Sequence, residues 1–231
     1  MLEQLKDLDN TIFIALNGSN SLYWDGVMWL VSKTATWIPL LLVLLYVVVK
    51  NDGPRRLFFV AIAMILTVTL ADRLSSGLIK PMVMRWRPTH DATFLSTIDV
   101  VFGYLGGRYG FVSSHAANTF SLFLFLSLLF RSRLMTVCLF FWACITSYSR
   151  VYLGVHFPGD ILCGALLGVV VGWVVYLAYK YVCSRVMTEQ QFYSSAYTSS
   201  GFLHTDMQLL ALALVLTYAA VFIVAIPLAV R

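Results

Sequence analysis

From Leu57 to Ile79 the chain reads LFFVAIAMILTVTLADRLSSGLI, apolar throughout its first half and interrupted by charge only at Asp72 and Arg73. Runs of this kind leave few folds open. About 20 apolar residues in a helix match a hydrocarbon core about 30 Å thick. Inside lipid every backbone N–H and C=O must be satisfied internally, so only helices and closed barrels cross. The runs are continuous rather than alternating, which selects helices. Composition agrees, with 60% hydrophobic and 12% charged residues against about 25% charged in a soluble domain.

The expected fold is an all-α polytopic bundle of six transmembrane helices. The segments lie near Val27–Val49, Leu57–Ile79, Ala116–Phe130, Leu134–Tyr148, Phe157–Val182 and Met207–Val230. The third and fourth are short for a span and would gain a turn from their flanks. No linker divides the chain, so residues 1–231 are expected to form one membrane-embedded domain. The N-terminal MLEQLKDLDNTIFIALNG has a helix-period stripe of Leu2, Leu5, Leu8, Ile12, Phe13 and Leu16 among acidic residues. That pattern predicts an interfacial amphipathic helix rather than a signal peptide. Cys138, Cys144, Cys163 and Cys183 lie in or beside apolar segments without C-x-x-C spacing and read as small hydrophobes.

In so apolar a chain, a net charge of +5 does not point to nucleic acid. With six spans, Lys50, Arg55, Arg56, Arg131, Arg133, Lys180 and Arg185 fall on one side, the cytoplasmic one by the positive-inside rule. The Lys80–Ser114 stretch and the Arg150–His156 turn then share the other side. Their cations oppose the rule and need another purpose.

Three stretches supply it: KPMVMRWRP, FVSSHAAN and SRVYLGVHFPGD. Lys80, Arg85, Arg87 and Arg150 sit with His115 and His156 at membrane edges on one side, where desolvated cations call for an anion. A carboxylate is one candidate, but several cations together favour phosphate, which a guanidinium fork grips through two oxygens. Ser113, Ser114 and first-turn N–H groups can hold phosphate oxygens at the start of the third segment, and His115 can protonate a leaving oxygen. Asp160, four residues past His156, can fix its tautomer, the arrangement of an oriented nucleophile. An H-x-x-x-D pair is also half of a metal site, and a lone arginine at a membrane edge is commonly a snorkelling anchor. All three stretches on one face speak against the bland readings. Asp72 and Arg73 read as a mutual or interhelical pair that stabilises the bundle, with a role in substrate binding as the alternative. Arg85, His90, Asp91 and Arg108 read as candidates for headgroup selectivity, with Arg85 equally a rim charge. Gly103, Gly106, Gly107 and Gly110 suggest a pliable connection, and the polar stretch from Ser184 to Asp206 carries no evident chemistry.

In this order the stretches resemble the signature of the membrane phosphatidic acid phosphatase type 2 superfamily, the lipid phosphate phosphatases. K-x6-R-P is met by Lys80, Arg87 and Pro88, and S-R-x5-H-x3-D by Ser149, Arg150, His156 and Asp160. The middle motif, P-S-G-H, is degenerate: Val112 and Ser114 replace its proline and glycine, while Ser113 and His115 are kept. The resemblance covers roughly Leu57 to Val182. It implies hydrolysis of a lipid phosphate or diphosphate without metal or cofactor. His156 would be the nucleophile, Asp160 its orienter and His115 the acid and base. Lys80, Arg87, Ser113, Ser114 and Arg150 would bind phosphate. It further implies a bacterial inner-membrane protein with its site outside, a phosphorylated lipid as partner, and neither nucleic acid nor an obligate protein partner. Undecaprenyl diphosphate is the first substrate expected, with lipid A and phosphatidylglycerophosphate as alternatives. A lipid or anion transporter is the rival class.

Overall fold

A computed structural model describes residues 2–19, 21–94, 97–186 and 194–228. The middle of the Ser184–Asp206 stretch and the last residues of the expected Met207–Val230 segment lie outside the described residues. The helices are α1 (Leu2–Leu16), α2 (Leu22–Ser32), α3 (Ile38–Asp72), α4 (Lys80–Val83), α5 (Ser114–Phe130), α6 (Arg133–Tyr152), α7 (Pro158–Val186) and α8 (His204–Ala225). A 3-10 turn leads into α3, and a π-helical turn, Arg73–Ile79, joins α3 to α4.

The expectation of six spans is corrected here. Among the described residues four helices are long and apolar enough to cross a membrane: Thr34–Val83, Arg133–Tyr152, Pro158–Val186 and His204–Ala225. Ser114–Phe130 is apolar but shorter. The expected first and second segments meet at KNDGPRR with no loop between them, as two helices joined across a kink. Only Gly53, at φ 78°, leaves helical geometry, just before Pro54, whose missing N–H falls where the ladder is already broken. Asp52 and Arg56 pair at 2.8 Å across the kink, closing the junction where charge alone suggested a loop. Lys50 and Asn51 tie the same place to Asp206, at 2.6 and 2.8 Å. Val27–Ser32, assigned to the first span, belongs instead to α2.

The N-terminal expectation is corrected as well. Residues Leu2–Leu16 do form α1, but not as an interfacial helix distinct from the membrane bundle. Phe13 is fully buried and packs edge-on against Phe94 and Phe157, with ring centroids 5.9 and 5.2 Å away. Asp9 accepts the backbone N–H of Gly159 at 2.7 Å, which fastens α1 to the start of α7.

Close packing of α5 against α7 sets the site. Gly164, Gly168 and Gly172 are spaced four apart, and a Cβ at each would stand 2.5, 2.3 and 2.4 Å from the carbonyl oxygens of Ser113, Ala117 and Ser121. Small residues at this spacing let two helix backbones approach closely. As a result the amino ends of α5 and α7 lie side by side, and Ser113 N–H donates to the Asp160 carbonyl at 3.0 Å.

Candidate active site

His156 sits in the connection between α6 and α7, just after Gly154 turns the chain with φ 78°. It is 2% exposed. Its Nε2 lies 3.1 Å from Arg87 Nη1. Because a guanidinium can only donate, Nε2 is the acceptor, and the neutral ring carries its proton on Nδ1. Nδ1 faces Asp160 Oδ2 at 3.4 Å. That carboxylate is fully buried. Oδ2 also accepts the Phe157 N–H at 3.1 Å, and Oδ1 accepts from Arg85 Nη1 at 3.0 Å. The tautomer therefore leaves a lone pair on Nε2. Burial, reinforced by the cations Arg87, Arg150 and Lys80 and by His115, holds His156 well below its ordinary pKa of 6.5. The ring is neutral at physiological pH.

A short antiparallel pairing presents the arginines. Arg87 N–H donates to the Arg108 carbonyl at 3.3 Å, and Gly110 N–H to the Arg85 carbonyl at 2.8 Å. Residues two apart on an extended strand point the same way. Arg85 and Arg87 thus turn inward, while Trp86 stays outside under the Arg108 guanidinium, 4.4 Å from the ring centroid. Arg87 donates through Nε to the Tyr109 carbonyl at 3.1 Å and through Nη1 to that of Val155 at 3.2 Å. Burial, then the nearby Arg150, lowers Arg87 to about 10, so it remains protonated at neutral pH.

Arg150, on α6, donates to Ser32 Oγ and to the Tyr104 hydroxyl, the latter at 3.2 Å. Its buried Nε has no hydrogen-bond partner among the described residues. Burial raises the Tyr104 pKa, but the hydrogen bond and charge of Arg150, with the charge of Arg87, reverse the shift and lower it. His115 lies 2.9 Å through Nε2 from the Ser32 carbonyl. A carbonyl only accepts, so Nε2 is protonated and Nδ1 is the nitrogen free to exchange a proton. Lys80 donates to Ser114 Oγ at 2.6 Å, and Ser76 Oγ lies 2.7 Å from the same oxygen. The serine in place of the motif glycine therefore anchors the lysine. Ser113 caps α5, its Oγ accepting Ala116 N–H at 3.4 Å.

Sequence reasoning missed several participants. Arg85 is no simple rim charge, since it bridges Asp160 and, at 2.7 Å, Asp9. Ser32 and Tyr104 hold Arg150 and had no motif to mark them. Gly106 and Gly110 are tight walls: a Cβ on Gly106 would meet Arg87 Nη1 at 2.9 Å, and one on Gly110 would meet Asp160 Oδ2 at 2.8 Å. Asp72 does not pair with Arg73 but accepts from Ser76 Oγ at 3.4 Å. His90 contacts Thr89 at 3.2 Å, and Asp91 caps Thr93. Among the described residues no group of three or more His, Cys, Asp and Glu side chains is arranged to hold a metal ion.

With this geometry in place, comparison with known proteins is decisive on family. The PAP2 superfamily model matches residues 56–183, more than half of the chain. The chain belongs to the PAP2 superfamily. It is accordingly a bacterial-type phosphatase that hydrolyses phosphate or diphosphate esters, and a multi-pass membrane protein. A Lipid A 4'-phosphatase of Bacteroides thetaiotaomicron is 35% identical over 190 residues, 82% of this chain and 84% of that one. The Lipid A 4'-phosphatase of Porphyromonas gingivalis is 36% identical over 184 residues, covering 80% and 78%. A protein of Escherichia coli provisionally named undecaprenyl-diphosphatase YbjG is 28% identical over 176 residues, covering 72% and 80%. The crystal structure of Aquifex aeolicus LpxE superposes with a TM-score of 0.55 at 26% identity, covering 73% of this chain and 94% of that one.

Proposed function

We propose that this PAP2 phosphatase removes phosphate from lipid A, through a phosphohistidine on His156, at the outer face of the bacterial inner membrane, with residues 1–231 acting as one domain. The reading is supported by the two lipid A 4'-phosphatases, each similar over about four fifths of the chain at 35% and 36% identity, against 28% for the undecaprenyl-diphosphatase. Undecaprenyl diphosphate, the first expectation from sequence, gives way to lipid A on that ground.

The arrangement of His156 between Arg87 and Asp160 carries the chemistry. On substrate binding, Arg87 releases Nε2 and turns its N–H to a phosphate oxygen. The Nε2 lone pair attacks phosphorus, an N–P bond forms and the P–O bond to the lipid breaks. His115 Nδ1 takes the proton of the bound phosphate monoanion and gives it to the leaving oxygen. The phosphorylated imidazole carries positive charge, which the Asp160 carboxylate offsets. Water then attacks phosphorus and gives its proton to His115 Nδ1, the N–P bond breaks, and inorganic phosphate leaves. Lys80, Arg87, Arg150 and Ser113 stabilise charge on the equatorial oxygens. Ser114 keeps Lys80 in register.

The test is phosphate release by purified protein in detergent with excess EDTA, from lipid A, undecaprenyl diphosphate, phosphatidylglycerophosphate and phosphatidic acid. Release is expected to be fastest from lipid A, to survive EDTA and to vanish in His156→Ala. A faster rate on undecaprenyl diphosphate would overturn the substrate, and release by folded His156→Ala would overturn the mechanism.

A further inference from the structure

Arg85 and Arg87 both turn inward, yet only Arg87 meets the His156 ring. Arg85 divides its terminal nitrogens between two carboxylates, Nη1 to Asp160 Oδ1 at 3.0 Å and Nη2 to Asp9 Oδ2 at 2.7 Å. A guanidinium beside a single carboxylate favours two parallel bonds, one to each oxygen. Here that fork is held open, and Asp9 is the group that draws its second nitrogen away. Asp160 Oδ2 is thereby left to His156 Nδ1 at 3.4 Å and to the Phe157 N–H at 3.1 Å.

Asp9 is fixed for this task from several directions. It lies on α1, 76 positions before Arg85 and outside the residues 56–183 that match the PAP2 model. Its Oδ1 accepts the N–H of Gly159, the residue just before Asp160, at 2.7 Å. A Cβ on Gly159 would stand 2.9 Å from Asp9 Oδ2, so glycine is what lets the carboxylate come this close. The Arg85 guanidinium stacks 4.1 Å from the centroid of Phe157, the same ring that Phe13 of α1 packs against. The Arg85 and Asp9 side chains are 25% and 14% exposed, which sets the pair apart from exposed ion pairs of little worth. In charge, Asp9 balances Arg85 and leaves that of Asp160 facing His156.

Building on the reading of His156 as nucleophile, we propose that Asp9 is a positioning residue of the reaction: by holding Arg85 off Asp160 Oδ2, it reserves that oxygen for the His156 imidazole. Without the Asp9 charge, Arg85 closes on both oxygens of Asp160. His156 then loses the acceptor that orients it, and positive charge on the phosphorylated ring is no longer offset. α1 thus serves the site although none of the three motifs lies on it.

Asp9→Asn tests this, since its amide oxygen can still accept from Gly159 and Phe13 still docks α1, while the charge that holds Arg85 is gone. On lipid A, kcat should fall roughly tenfold to a hundredfold, as for a misplaced reacting group. KM should change little, because Asp9 touches none of the phosphate ligands. In proton NMR of the substrate-free protein, the His156 Nδ1 proton, assigned by its loss in His156→Ala, should move upfield. In an Arg85→Gln background, Asp9→Asn should lower kcat no further, because no fork remains to close. An unmoved resonance, or a full additive loss in the double variant, would overturn the proposal and leave Asp9 a structural tie. A moved resonance with unchanged kcat would sustain the hold of Asp9 on the Asp160–His156 pair and sink the nucleophile reading instead.

Discussion

Adding one methyl group at Gly110 should disable the enzyme without touching a motif residue. A Cβ there would lie 2.8 Å from Asp160 Oδ2, where ordinary contact begins at 3.4 Å, so about 0.6 Å must be found. Asp160 has little room to give. It is fully buried and held by Arg85, the Phe157 N–H and His156 at 3.0, 3.1 and 3.4 Å. The methyl group would displace the carboxylate and rotate the imidazole it orients. A misplacement of about 1 Å at a reacting group costs about a hundredfold, so Gly110→Ala should lower kcat roughly 30- to 100-fold, about 2–2.7 kcal/mol of barrier. KM should change little, because the nearest phosphate ligand, Arg87, meets the new Cβ only at 3.4 Å through its Cγ. Gly107→Ala is the matched control, since nothing lies within 4 Å of a Cβ there. The assay is phosphate release at saturating lipid in micelles, with thermal melts to confirm folding. A folded Gly110→Ala protein within threefold of wild-type kcat would refute the claim that Asp160 must be held in place.

Arg87→Lys should reduce turnover at least about tenfold, because an ammonium cannot reproduce a planar fork that reaches Tyr109, Val155 and His156 at once; steady-state kinetics check this, and near-wild-type turnover would sink the role. The pH response has a definite sign. His156 is depressed below 6.5 in the folded protein, so its ring should stay neutral, protonated on Nδ1, as pH falls through that value. Stability should decline over the same fall, since an unfolded histidine takes up a proton there and the folded one does not. Histidine-selective nitrogen NMR in micelles reads both charge and tautomer, and a His156 titration at or above 6.5 would contradict the burial argument.

The residues of the candidate site were more legible than the architecture, for a physical reason. Charges stranded in an apolar chain are costly, so Lys80, Arg87, Arg150, His115, His156 and Asp160 stood out, and the fold does bring them together. Helix continuity was harder to see. KNDGPRR reads as a loop by composition, yet two helices meet there across a kink at Gly53, held by the Asp52–Arg56 pair and the ties to Asp206. The amphipathic stripe of α1 showed a helix but not its dock, which depends on Phe13 finding Phe94 and Phe157 far along the chain. Arg85 could not be told from a rim charge, because its role depends on Asp9 and Asp160 converging from distant segments. Gly110 looked pliable by residue type and is a steric limit in the fold. Ser114, a departure from the motif, acquires its meaning only from the position of Lys80.

The central claim is that the Nε2 lone pair of His156 takes the phosphoryl group. The most direct measurement is a rapid alkaline quench of purified protein during its first turnover on lipid A, followed by mass spectrometry of the peptides. The account predicts a phosphoryl group on the peptide bearing His156, formed before free phosphate appears and absent from His156→Ala. A phosphoryl group on His115, or undiminished phosphate release by folded His156→Ala, would contradict it.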